Sequence, residues 1–85
     1  MKEKNIFKAD DVFSIMGAGV IVVGKLNSGI LKKGMKSIIN GKNSEILKIE
    51  SQKQSVELLN TGMSAGLFLS NISKDDIQNG EYSFE

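Results

Sequence analysis

Short apolar segments alternate with turn residues along the whole chain, and none of them shows a sustained helical repeat. Turns rich in Gly, Asn and Ser recur at roughly ten-residue spacing, which is typical of small all-β domains. The apolar segments predicted to be strands are 6–15, 20–26, 35–39, 45–49, 65–69 and 81–85. Ile30-Leu31 is interpreted as the start of a further strand, and 56–59 is a short apolar piece. This organisation predicts an all-β fold: a small, closed or partly open antiparallel β-barrel of about six to seven strands.

The first two strands carry the clearest side-chain pattern. In the first strand, four apolar residues share one parity and should face the core: Phe7, Ala9, Phe13 and Ile15. Asp10-Asp11 interrupts this set and indicates a bend or a β-bulge. Gly17-Ala18-Gly19 then indicates a sharp bend. Val20 to Leu26 is nearly continuous and β-branched, which predicts a strand buried on both faces.

The second half of the chain is divided by turn signals. Asn40-Gly41 predicts a hairpin. The next strand should place Leu47 and Ile49 on one side and Lys48 and Glu50 on the other. Residues 51–55 are polar and are predicted to be a loop or a strand end. One short helical turn is expected near Ser73–Gln78, because Ser73 could cap it and Asp76 follows three residues later.

Composition limits the chemistry. The chain has 85 residues, and we predict a polar tail over 1–5 and a single barrel domain over 6–85. It contains no Cys and no His, so it lacks thiolate metal ligands, disulfides and the commonest general base. We therefore predict that the chain is not an enzyme and holds no metal or cofactor. With no signal peptide and no long apolar run, a cytoplasmic location without membrane contact is expected.

The charge balance argues against a dedicated nucleic-acid binder. Eleven Lys, no Arg and ten acidic residues give a formal net charge of +1, whereas such proteins are usually much more basic. We predict no DNA partner, and any contact with RNA should be local. The lysines that could form a basic patch, Lys25, Lys32, Lys33 and Lys36, are interpreted as scattered surface residues.

Two short patterns have structural interpretations. The segment Gly19 to Lys25 matches G-x-x-x-x-G-K, but Leu26 stands where a phosphate loop needs Ser or Thr to hold Mg²⁺. Its β-branched centre favours a strand. Asp10-Asp11 and Asp75-Asp76 are adjacent acidic pairs, and neighbours on a strand point to opposite faces, so solvated turns explain them better than a metal site.

Three blocks in order resemble a known family. The first is Asp11-Val-Phe-Ser-Ile15 followed by Gly17-x-Gly19-Val-Ile-Val-Val-Gly24-Lys25, and the second is Ser28-Gly-Ile-Leu-Lys-Lys-Gly34. The third runs from Thr61-Gly62 through Ala65–Ile72 to Asp75–Gly80. From about Ile6 to Phe84 the chain thereby resembles the second, β-barrel domain of translational GTPases, most of all that of elongation factor Tu.

The resemblance implies a function without GTP chemistry. No phosphate loop, DxxG or NKxD motif of the family's GTPase domain is present, so this chain alone should not bind GTP. Ala18 stands where elongation factor Tu has an arginine. In that factor the barrel helps to hold the aminoacylated end of tRNA, and the matching RNA-binding positions here are Asp10, Asp11, Phe13, Glu50 and Lys53. From the residues alone, core packing is the first explanation for Phe13, and Glu50 can be simply the solvent-facing neighbour of Ile49.

Three functional hypotheses follow. The first is a non-catalytic module that docks to a protein or ribonucleoprotein partner in or near translation. The second is direct binding of RNA through the face around Phe13, Glu50 and Lys53. The third is an accessory barrel of an enzyme whose active site lies elsewhere. A homodimer through an exposed edge, with 81–85 as the candidate strand, is a further expectation.

Overall fold

The computed structural model describes residues 4–15, 19–78 and 80–85. Within them the chain forms strands and one 3₁₀ turn, Lys74–Asp76. The strands are β1 (Asn5–Ile15), β2 (Gly19–Ser28), β3 (Ile30–Lys32), β4 (Lys36–Ile39), β5 (Lys42–Ser51), β6 (Gln54–Val56), β7 (Leu58–Asn60), β8 (Ser64–Leu69) and β9 (Gly80–Phe84). Of the expected bend, Gly17 and Ala18 lie outside the described residues.

Six strands form an antiparallel barrel in the order β4-β5-β8-β2-β1-β9, with β6 added to β5 and a separate pair β3-β7. The barrel closes where Lys36 and Glu85 exchange two backbone hydrogen bonds, of 2.7 and 2.9 Å. The predicted all-β barrel with a single short helical turn is confirmed. The segment from Gly19 to Lys25 lies within β2 and pairs with β1 and β8, which confirms its interpretation as a strand.

The core lies inside the barrel, and only one face of each strand contributes to it. On β2 the buried side chains are Val20, Val22 and Leu26, whereas Val23 is 37% exposed. The prediction that this strand is buried on both faces was therefore wrong. Nothing in the described residues packs over the outer side of β2, so its β-branched residues alternate between core and solvent.

Two of the three register shifts in the barrel, one in β1 and one in β5, decide which residues face outward. In β1 the pairing with β2 shifts between Ala9 and Asp11, so Asp10 is an extra residue, as the acidic pair indicated. The shift reverses the side-chain alternation beyond it: Phe13 is 51% exposed, and the prediction that Phe13 and Ile15 share the inward parity of Phe7 was wrong. A second shift in β5 makes Leu47 the extra residue.

The bulge in β5 also overturns a prediction. Ile46 and Ile49 are buried, whereas Leu47 is 42% exposed, so Leu47 and Ile49 do not share a side. The polar segment 51–55 was predicted to be a loop or a strand end, and most of it belongs to a second hairpin. Its two turn residues, Gln52 and Lys53, both have positive φ angles, as do Asn40 and Gly41 in the predicted hairpin.

The 3₁₀ turn is anchored to the β4–β5 hairpin through Asp76. Its carboxylate accepts hydrogen bonds from Lys42 Nζ, Asn40 Nδ2 and the Ser73 backbone N–H, each 2.8 Å long. The predicted Ser73–Asp76 pairing is thereby confirmed, and Ile77 packs inward. The hydrogen bond from Lys42, then those from Ser73 and Asn40, hold the pKa of Asp76 well below its ordinary value of 3.8.

Replacing Asp76 should weaken the barrel in a pH-dependent way. Because its pKa is lower in the folded state, the carboxylate stabilises the fold at neutral pH, and this contribution declines as the pH falls below about 4. Asp76→Asn should lower Tm by several degrees at pH 7, and the difference should shrink toward pH 2. Asp75→Asn, at an exposed neighbouring position, is the matched control. A difference between Asp76→Asn and the parent chain that stayed constant with pH would contradict this assignment.

Across the described residues, no helix has both the length and the apolar character needed to cross a membrane.

Candidate binding site on the outer face

Two rows of side chains cross four neighbouring strands on the outside of the barrel. Because paired residues on adjacent strands point to the same side of a sheet, the register defines each row. The first row contains Asp11, Val23, Gly66 and Glu50. The second contains Phe13, Ile21, Phe68 and Lys48. We call these eight residues the outer face; all of them are exposed or half-buried.

The second row gives the outer face an apolar centre. Phe13, Ile21 and Phe68 are consecutive cross-strand neighbours on β1, β2 and β8. Phe13 exposes half of its surface to solvent, and Val23 lies beside this row. Aromatic side chains supply large contact areas at low entropic cost, which is why they are enriched at binding surfaces. The arrangement is suited to a flat apolar or aromatic ligand.

Gly66 leaves a depression in the first row. A Cβ at this position would lie 3.2 Å from Cγ2 of Ile21, so the two side chains would crowd each other. Without a side chain, the backbone of β8 is accessible between Val23 and Glu50. A ligand could therefore approach the sheet more closely here than elsewhere on the outer face.

Charged groups border the depression on the β5 side. Nζ of Lys48 lies 3.1 Å from Oε2 of Glu50 and 5.2 Å from the centre of the Phe68 ring. Both charged side chains remain nearly half exposed. An ion pair of this exposure contributes little to stability, so its groups can be redirected to a ligand at small cost. The aromatic ring holds the ammonium group over the apolar centre.

The structure brings together three of the five predicted RNA-binding positions. Asp11 and Glu50 lie at the two ends of the first row, about 14 Å apart if three interstrand spacings separate them. Phe13 lies in the next row. Asp10 is the extra residue of the bulge, and its carboxylate is 3.2 Å from Nζ of Lys8. Lys53 lies on the turn between β5 and β6, outside both rows.

Sequence reasoning missed five members of this surface: Ile21, Val23, Lys48, Gly66 and Phe68. The signal for Phe68 was present, since strict alternation from the buried Leu67 places it outward. For Lys48 the signal was present as well, because the predicted alternation that places it on the same side as Glu50 is confirmed by the register. Ile21 and Val23 gave no signal, because β-branched residues suit a strand on either side.

The lysines that were interpreted as scattered surface residues lie on separate parts of the fold. Lys25 lies on β2, whereas Lys36 lies on β4, and β5 and β8 separate these strands in the sheet. The acidic pairs are also apart: Asp10 belongs to β1, and Asp76 is committed to the 3₁₀ turn. In residues 4–15, 19–78 and 80–85, no three acidic side chains are grouped closely enough to hold a metal ion.

Known proteins share both the sequence and the fold. The family model described as Elongation factor Tu domain 2 matches residues 19–82. Elongation factor 1-alpha from Pyrobaculum calidifontis is 37% identical over 73 residues, which cover 84% of this chain and 16% of that protein. The same factor from Methanothermobacter thermautotrophicus is 34% identical over 84% of this chain and 18% of its own length. The chain thus spans less than a fifth of these relatives.

Solved structures give the same result. The apo form of translation elongation factor SelB from Methanococcus maripaludis superposes with a TM-score of 0.86 and 25% identity, over 96% of this chain and 18% of that protein. A bacterial selenocysteine-specific elongation factor, EF-Sec, superposes with a TM-score of 0.82 at 20% identity, over 96% of this chain and 14% of its own. The latter likeness shows the fold alone.

Proposed function

The chain belongs to the Elongation factor Tu domain 2 family, and from this premise we propose that it is a non-catalytic docking module that binds a protein or ribonucleoprotein partner of translation through its outer face. Family membership supports the setting, because this barrel is a module of translation GTPases. The outer face supports the location of the contact. A cytoplasmic site of action and the absence of catalysis are parts of the same proposal.

One observation carries the proposal: the apolar row of Phe13, Ile21 and Phe68 has no covering element among the described residues. The barrel needs none of their outward surface for its core, since the inner face supplies that. Exposed apolar groups bordered by paired charges are the usual anatomy of a protein contact surface. A near-neutral net charge fits a partner recognised by shape and apolar area better than one recognised by its total charge.

Cross-linking from position 13 tests the proposal. Phe13 is replaced by p-benzoylphenylalanine, which preserves an aromatic group at an exposed site, and cells are irradiated before lysis. We expect defined adducts with ribosomal or translation-factor components. Leu58, a similarly exposed apolar residue on β7, is the matched control position and should give few adducts. Equal labelling from both positions, or only adducts unrelated to translation, would refute docking through the outer face.

Direct recognition of an RNA end is the second candidate. It is favoured by Lys48 held over the Phe68 ring next to Glu50, because aromatic faces stack on unpaired bases and a carboxylate can accept hydrogen bonds from a base edge. The same experiment distinguishes the candidates. Adducts that nuclease destroys, and that weaken as salt is raised, would indicate RNA. Nuclease-resistant adducts with proteins would support docking to a protein partner and not recognition of an RNA end.

A further inference from the structure

The barrel closes at one point and then opens into a groove on its outer side. Beyond the hydrogen-bonded pair of Lys36 and Glu85, strands β4 and β9 form no further bridges. The groove has a volume of about 940 Å³ and is lined by residues of both strands and of their neighbours. Ile38, which lies at its edge, is 74% exposed, the highest value among the large apolar residues described as exposed. We call this region the seam.

Backbone groups on both sides of the seam point into it. In an antiparallel ladder, the N–H and C=O of one residue point to the same neighbouring strand, and those of the next residue point to the other side. Since Lys36 pairs across the seam, Ile38 directs its backbone groups the same way. By the same alternation from Glu85, Ser83 and Glu81 direct theirs into the groove from β9.

We propose that the seam binds an extended, uncharged peptide segment as an added β-strand. Strand addition is the interaction that unpaired N–H and C=O groups at a sheet edge support. The occupant would pair with Ser83 and Glu81 of β9 and would place an apolar side chain against Ile38 of β4. Neither strand is long, so a segment of about five residues would fill the site.

The charges of the seam favour this occupant over others. Lys4 and Lys36 balance Glu81 and Glu85 around the groove, so neither a polyanion nor a strongly basic tail gains from overall attraction. A second copy of the chain is also disfavoured. Antiparallel pairing of two β9 strands centred on Ser83 would place Glu81 of each copy opposite Glu85 of the other, and like charges directly opposite each other are destabilising.

Titration of the isotope-labelled chain with the peptide acetyl-TVTVT-amide tests this site. We expect amide shifts and slowed hydrogen exchange at Ser83, Glu81 and Ile38, with little change at the outer face. N-methylation of alternate residues removes the backbone N–H donors from one edge of the peptide strand. When that edge faces β9, the peptide should bind at least about tenfold more weakly than the unmethylated peptide. Ser83→Pro should abolish binding, and Ser83→Ala should preserve it.

Every other outcome overturns the proposal. Shifts confined to the outer face, equal binding by all methylated peptides, or no response at millimolar peptide would each exclude strand addition at the seam. Amide shifts that change with the concentration of the chain, and not with the concentration of peptide, would indicate pairing of two copies. The methylated peptides are titrated against the unsubstituted chain. Their result therefore stands even if the Ser83→Pro variant fails to fold. The outer face takes no part, so this test and the docking test can fail separately.

Discussion

Gly24→Ala should destabilise the barrel by about 3 kcal/mol or more, the upper part of the range for overpacking substitutions. A Cβ at Gly24 would overlap the backbone carbonyl oxygen of Lys8 on the paired strand and lie 3.0 Å from Cε2 of Phe7. Neither neighbour can withdraw, because β1 is held between β2 and β9 and Phe7 is buried in the core. The substitution must therefore separate β1 from β2 or unfold both.

Urea denaturation measures this effect, and a second glycine provides the control. Gly41 lies in the β4–β5 turn with a φ of 78° and with open space around it. Gly41→Ala should cost only the backbone strain of a left-handed residue, about 1 to 2 kcal/mol. A smaller loss of stability for Gly24→Ala than for Gly41→Ala would show that β1 and β2 can separate slightly without breaking the sheet.

The position of Gly24 also shows what the sequence can and cannot predict. Turn signals and alternation located every strand of the barrel, and Asn40-Gly41 identified its hairpin, because these features depend on local geometry. A bend or a bulge was predicted at Asp10-Asp11, but its effect on the later side chains was not. Its consequence depends on the register with the neighbouring strand. Because Ala9 pairs with Gly24 and Asp11 pairs with Val23, Asp10 has no partner on β2, and the side chains after it point to the opposite faces.

The same reasoning explains the partial prediction of the site. Asp11 and Glu50 were placed in it by family resemblance, and the register shows that they belong to one row. Phe68 and Gly66 are separated from them by up to fifty-odd positions along the chain, and only strand order brings them together. A depression made by a missing side chain, as at Gly66, leaves no trace in a hydrophobic pattern, because its effect depends on Ile21 of the next strand.

The bulges connect the fold to its proposed function. The bulge in β1 places Phe13 outside, where regular alternation from Phe7 and Ala9 would have assigned it to the core. The bulge in β5 leaves Leu47 outside and turns Ile49 into the core. A regular β1 would turn the Phe13 ring away from the outer face. Bulges are common next to functional sites because they redirect a side chain without changing the strand order. The two bulges lie on the strands that border the outer face, which supports a binding role for this side of the barrel.

Phe68→Ala should weaken binding of the chain to purified ribosomes about thirtyfold, the effect of a central contact residue worth about 2 kcal/mol. Phe68 lies in the interior of the second row of the outer face, between Ile21 and Lys48. Its removal deletes an aromatic contact and leaves the Lys48 ammonium without the ring that positions it. Sedimentation of the labelled chain with ribosomes measures the affinity, and Tm verifies that the fold is retained.

Leu58→Ala is the control for this effect, because it removes an exposed apolar side chain from a separate pair of strands. It should change the affinity less than about twofold, as expected for a residue outside the contact. Lys48→Ala should lie between the two, since it retains the ring but loses the cation. If Phe68→Ala and Leu58→Ala weaken binding equally, apolar area alone determines the interaction. If neither does, the partner binds elsewhere on the barrel, and the exposure of Phe13 and Phe68 must serve contacts other than those with the ribosome.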